Sequence, residues 1–230
     1  MFPTRVLPAG DAAWLIELPE RLDAEVNARA IEIAAQIEEA SISGVTDVVV
    51  GYRTVMVYVD PRRAEWNGTR QTLEDIVTQS PERVASRTRL VDLPICYGGA
   101  FGPDLADVAV FAGTEPEEVI ARHLAVEYRV FVVGFVPGFA YMASVDPSIA
   151  APRRSSPRVT VPAGSLGIAG RQTGIYPAAT PGGWNLIGRC PVRPYDPRRK
   201  EPFLLRAGDR VCFRRISEAE YRATTEWGDA

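Results

Sequence analysis

The chain of 230 residues holds 26 basic and 29 acidic side chains, for a net charge of −3, and is 46% hydrophobic and 24% charged. This is the composition of an ordinary globular protein with room for one large or two small domains, and it carries no bias toward nucleic acid or an anionic membrane. No apolar run approaches the roughly 20 residues of a membrane span, and Met1–Leu18 lacks an apolar core behind a basic start, so no secretory signal is expected and the cytoplasm is the expected compartment.

From residue 1 to about 90 the pattern alternates strands and helices. Ala13–Leu18 reads as a strand. In Arg21–Ala40 the apolar residues Leu22, Val26, Ala30, Ile33, Ala34 and Ile37 recur at helical spacing. The valine-rich runs Val45–Tyr52 and Thr54–Val59 predict a hairpin, and Thr69–Gln79 a second helix with Leu73, Ile76 and Val77 inward. With a strand over Arg89–Ile95 the order is βαββαβ, that of a small ferredoxin-like α+β domain over residues 1–90.

Past Leu93-Pro94 the pattern changes to short apolar segments cut by Gly and Pro, which predicts a closed or partly closed β-barrel over 91–220. One helix is expected there, opened by a capping box at Thr114-x-x-Glu117 and running to about Leu124. The final strand is Arg210–Ile216, and 221–230 reads as a frayed tail. Cys96, Cys190 and Cys212 are too scattered for a disulfide framework or a Cys-x-x-Cys metal site, and no metal is expected.

Several residues of this half are candidates for chemistry. His123, the only imidazole, shares the inward stripe of Val119 and Ile120; it is either a hydrogen-bonded core residue or the proton-transferring group of a site. The loop APRRSSPR brings Arg153 and Arg154 together with Arg158, either as solvated surface or as a guanidinium clamp for a carboxylate or phosphate. Gly164–Arg189 mixes seven glycines with Gln172, Tyr176, Trp184, Asn185 and Arg189. It predicts tight turns that present these side chains and free backbone N–H groups, with Gly183 at a positive φ or a close approach. Gly134–Met142, GFVPGFAYM, repeats the mixture. Ala163–Gly167 falls one residue short of a nucleophile elbow, and no histidine follows it. Lys200, the only lysine, lies in the charged run PRRKEP, which excludes a P-loop, a buried Schiff base and a biotin-carrying lysine.

Seven ordered blocks carry a resemblance: CYGGAFGPDL, His123 ahead of EYRV, GFVPGFAYM, APRRSSPR, VPAGSLGIAG, QTGIYP and TPGGWNLIGR. Together they resemble the B subunits of bacterial ATP-dependent 5-oxoprolinase, a family also labelled allophanate hydrolase subunit 1, carboxyltransferase-domain subunit and sporulation-kinase inhibitor. The resemblance is strong over about residues 90–216. It implies a cyclophilin-like barrel and a larger partner, the C subunit, that shares the site. It also implies ATP, with Mg, used to activate 5-oxoproline by phosphorylation before a third polypeptide, the A subunit, finishes ring opening to glutamate. The alternatives are an allophanate hydrolase or urea carboxylase-type carboxyltransferase subunit, and a non-enzymatic inhibitor of a histidine kinase. With one His and one Lys, the chain alone is expected to be inactive.

Overall fold

The computed structural model describes residues 4–19, 23–80 and 89–227. The chain forms two units, Met1–Arg87 and Thr88–Ala230. In the first, β1 (Arg5–Pro8) and β2 (Ala13–Glu17) precede α1 (Ala24–Glu39); β3 (Val45–Val50), β4 (Thr54–Val59) and α2 (Trp66–Gln79) follow. The Asp23 side chain caps α1 by accepting from the Val26 N–H at 2.8 Å. The stripe Val26, Ala30, Ile33 and Ile37 is buried in one cluster with Ile16, Val55 and Val57 of the sheet, as a period of 3.6 against a period of 2 requires. The predicted helix start at residues 21–22 lies outside the described residues.

The hairpin forms as expected, but the βαββαβ order does not. The sheet is antiparallel in the order β1-β2-β4-β3. Its edge beside β2 is held by Arg5–Pro8, and the strand expected from Arg89 belongs to the second unit. The physical reason is hydrogen bonding: β5 (Leu90–Tyr97) has partners on both edges there. A four-residue strand ending in proline suits an edge that needs few ladder bonds.

The second unit continues with α3 (Leu105–Ala112), α4 (Pro116–Leu124), β6 (Tyr128–Val133) and β7 (Ala140–Ala143). Then come β8 (Arg158–Val161), β9 (Ser165–Ala169), β10 (Gln172–Ile175), β11 (Thr180–Gly182), β12 (Asn185–Arg189), β13 (Arg210–Arg215) and α5 (Glu218–Thr224). The barrel closes in the order β10-β7-β6-β13-β5-β12-β9, and β8 pairs with β11 in a separate ribbon. Leu93, Ile95, Val130, Met142, Leu166, Ile168, Ile187 and Val211 fill its interior.

Among the described residues of this unit, three α-helices and a 3-10 turn at Pro147–Ile149 stand where one helix was expected. The N-cap of α4 is Glu115, whose side chain makes no cap bond, so the Thr114 capping box is not formed; Pro116 starts that helix instead. A reciprocal box does form at α5, between Ser217 and Glu220. The stretch read as a frayed tail is docked as far as it is described. Tyr221 packs on Phe101 at 4.7 Å, and the Trp227 indole N–H donates to the Cys190 carbonyl at 2.8 Å. Residues 228–230 lie outside the described residues. Among those described, no helix is long and apolar enough to cross a membrane.

Candidate functional site: an aromatic cup beside an arginine loop

The GFVPGFAYM run leaves β6, turns, and re-enters the barrel as β7, and its aromatic residues meet those of the glycine-rich run. Phe139, almost fully buried, is the hub. Its ring makes edge contacts with Tyr141 at 4.7 Å, Tyr176 at 5.1 Å and Trp184 at 5.3 Å, the geometry that aromatic quadrupoles favour. With Phe135, Arg153 and the Pro181–Gly183 turn these rings line a cup of about 150 Å³.

Close packing explains the glycines. A Cβ on Gly174 would lie 2.8 Å from the Ala140 carbonyl oxygen and 3.1 Å from the Phe139 ring, and one on Gly182 would lie 2.5 Å from the Tyr176 hydroxyl. Gly183, expected to be the constrained position, is not. Its φ is not positive, and a Cβ there would touch only Pro157 at 3.6 Å and the Arg154 carbonyl at 3.9 Å. Gly183→Ala should therefore shift stability by no more than about 0.5 kcal/mol. Gly182→Ala, which drives the Tyr176 ring out of place, should cost about 1–3 kcal/mol. Urea unfolding of the two variants checks this, and equal losses would contradict it.

The arginine loop divides its labour. Arg154 and Arg158 both donate to Asp104 Oδ1, at 3.0 and 2.6 Å, and the other oxygen of this buried carboxylate accepts from the Leu186 N–H at 2.7 Å. Asn185 Nδ2 donates to the Pro152 carbonyl at 2.8 Å, and the Arg154 N–H to that of Gly183 at 2.8 Å. Arg154 and Asn185 are thus struts that hold the loop. Among the described residues Arg153 has no ion-pair partner and lines the cup. Burial pushes the Tyr141 and Tyr176 hydroxyls above their ordinary pKa, and the nearby Arg153 charge opposes that shift only in part. Both phenols stay protonated at neutral pH and can donate, not abstract.

His123 is placed elsewhere. Its side chain is fully buried in the barrel core, stacked on Phe213 at 5.0 Å. The Thr173 hydroxyl gives its proton to the Gly167 carbonyl at 2.9 Å, so it must accept from His123 Nε2, at 3.2 Å; the Tyr97 hydroxyl then donates to Nδ1 at 3.0 Å. Both ring nitrogens are satisfied in one neutral tautomer, and burial pushes the imidazole pKa down to about 3. A proton-transferring role is not what this environment supports: the inward stripe leads to the core, and the core needs the ring uncharged.

Two other candidates also fall outside the cup. Gln172 opens β10 opposite Ala143 and Ala169. Arg189 Nε donates to the Ala163 carbonyl at 2.8 Å, pinning the turn before β9. Ser165 is buried in β9, consistent with no nucleophile elbow. Asp104 was missed, since nothing local marks a single Asp in CYGGAFGPDL as the anchor of arginines 50 and 54 residues away.

The cup itself does not fit a nucleotide. The cup is too small for one, since ligand sites for molecules of that size run to about 300–1,000 Å³. A larger cleft of about 520 Å³ lies between the Gly98-Gly99 turn and Arg215–Glu218. Its one arginine is already held by Glu117 at 2.6 Å, and the Ser217 N–H by Glu220 at 2.7 Å. Among the described residues no group of three or more His, Cys, Asp or Glu side chains could hold a metal ion.

A family model, carboxyltransferase domain, subdomain C and D, matches residues 4–205. The 5-oxoprolinase B subunit of Bacillus subtilis is 41% identical over 227 residues, covering 94% of this chain and 95% of its own. The solved chain of TTHA0988 is 40% identical with a TM-score of 0.80 over 89% of this chain, which spans only 40% of that longer chain. The Kluyveromyces lactis urea carboxylase, 19% identical with a TM-score of 0.75, covers 96% of this chain and 22% of its own; at that identity the likeness is one of fold alone. The match runs through both units and takes in every residue of the cup and the arginine loop, and on that footing the chain belongs to the family of 5-oxoprolinase B subunits, within the carboxyltransferase subdomain C and D family.

Proposed function

We propose that this chain is the B subunit of an ATP-dependent 5-oxoprolinase complex and that its aromatic cup holds 5-oxoproline. The observation that carries the reading is the pairing of a small aromatic cup with one arginine, Arg153, that has no ion-pair partner among the described residues. 5-Oxoproline is a small, flat lactam with one carboxylate. Its ring faces suit the aromatic walls, and its carboxylate suits the planar fork of a guanidinium. Burial keeps the Tyr176 phenol protonated, so its O–H can donate to the lactam carbonyl and favour charge developing on that oxygen.

Within this reading the chain binds and orients. Its His123 and Ser165 are buried, and Lys200 lies on the exposed surface. The nucleotide and any proton-transferring group are assigned to the larger C subunit, with the A subunit finishing the ring opening. The test is co-purification with the large C subunit, followed by measurement of 5-oxoproline-dependent ATP hydrolysis. Arg153→Ala should raise KM for 5-oxoproline by about 10–100-fold, corresponding to the roughly 1.5–3 kcal/mol of a charge-assisted hydrogen bond. Arg153→Lys, which keeps charge but loses the fork, should fall between. The isolated chain should show no turnover. Wild-type KM in Arg153→Ala, or full activity without a partner, would remove the proposal.

A further inference from the structure

We infer that Phe135 is the outer wall of the cup and sets its preference for a flat ring, an inference that rests on the cup being the 5-oxoproline subsite. The residue is anomalous twice over. Its φ is +70°, a left-handed conformation in which a bulky side chain crowds its own backbone. The Val136 N–H donates to the Gly134 carbonyl at 2.9 Å, which closes a γ-turn of the rare hand around Phe135. Yet the residue is 62% exposed, so burial does little to repay the strain. A glycine would adopt this turn without steric cost, and the same loop uses one at Gly138, where φ is +86°. Strain retained with little stabilising return points to use at a site.

The use is read from where the ring lies. It meets the Phe139 hub edge-on at 5.7 Å from the solvent side and lines the same cup as Tyr176, Trp184 and Arg153. A small ring seated there with its carboxylate on Arg153 has aromatic surface behind it. Phe135 supplies the surface toward solvent, which a flat lactam fills and a puckered or open-chain amino acid does not.

The experiment uses the assembled complex and compares Phe135→Gly with Phe135→Tyr. Phe135→Gly should raise KM for 5-oxoproline about tenfold with kcat within twofold, the size of one lost aromatic contact. Its Tm should not fall, because the glycine relieves the turn. Phe135→Tyr, which restores the ring at the same strained position, should return KM to within twofold of wild type. If the wild-type complex turns over and Phe135→Gly keeps its KM, the wall is overturned while the function stands. Failure of Phe135→Gly to assemble with its large partner also overturns it, by making the ring a docking contact. A wild-type complex with no 5-oxoproline-dependent turnover removes both.

Discussion

Replacing Asp104 by Ala is expected to be the most damaging single change in the second unit. The carboxylate is only 4% exposed and accepts from Arg154, Arg158 and the Leu186 backbone. Without it, two guanidiniums lose their shared counter-charge and a backbone N–H in β12 loses its acceptor. Removing one partner of a buried ion pair costs about 3–5 kcal/mol. Because the two arginine side chains are 33% and 26% exposed, water recovers part of that, and about 3 kcal/mol is the expected loss. For a protein of this size that corresponds to a fall in Tm of roughly 10 °C. Activity should fall further than stability explains, since the loop that carries Arg153 is tied down through Arg154. Adding Arg158→Met to the Asp104→Ala background removes one of the stranded charges and should recover part of the stability but none of the activity. An Asp104→Ala protein that melts like wild type would show that the triad holds nothing together.

The second large effect is on pH. A histidine ordinarily titrates near 6.5, whereas burial holds His123 neutral down to about 3. Above about pH 6.5 neither folded nor unfolded chain protonates it, and it contributes no pH dependence. Below that, the unfolded chain takes up a proton that the folded one refuses, so stability falls with slope about 1.4 kcal/mol per pH unit. Between pH 6.5 and 5, before most carboxylates titrate, the loss should reach about 2 kcal/mol. No other histidine exists in the chain to mask it. His123→Gln can donate to Thr173 and accept from Tyr97 but does not titrate. It should lose about 1–3 kcal/mol at pH 7.5 through poorer packing on Phe213 and Tyr128, and its stability should stay flat from pH 7.5 to 5. Urea unfolding of both proteins across that range decides the matter. Parallel curves would mean that His123 is not the buried neutral group described.

Legibility in the sequence followed locality. α1 and the β3–β4 hairpin could be read because their periods lie within a dozen residues. α3 could not, because Leu105, Val108 and Ala109 face inward while Val110 and Phe111 are exposed apolar residues that blur the helical period. β1 escaped because four residues between prolines show no period at all. The aromatic cup was legible as composition, rings interleaved with glycines, although which glycine was constrained depended on where Tyr176 came to rest. The inward direction of His123 was read correctly from its stripe. Whether inward meant a cleft or the core depended on Thr173, Tyr97 and Phe213, which come from three separate strands.

The pairing of β5 with β13 has a consequence for how the molecule is made. These strands run parallel along six registered residues, from Arg210 opposite Leu90 to Arg215 opposite Ile95, and the Arg89–Asp209 ion pair beside them spans 120 residues of sequence. On a ribosome β5 must therefore wait, with both edges unpaired until β12 emerges and one edge unpaired until β13 does. The loop entropy of that closure is met only at the end, which favours slow folding of this unit. The first unit, whose strands pair within about sixty residues, is complete long before. Chains truncated before Arg210 should leave an open sheet edge and aggregate, so closure of the barrel waits on β13.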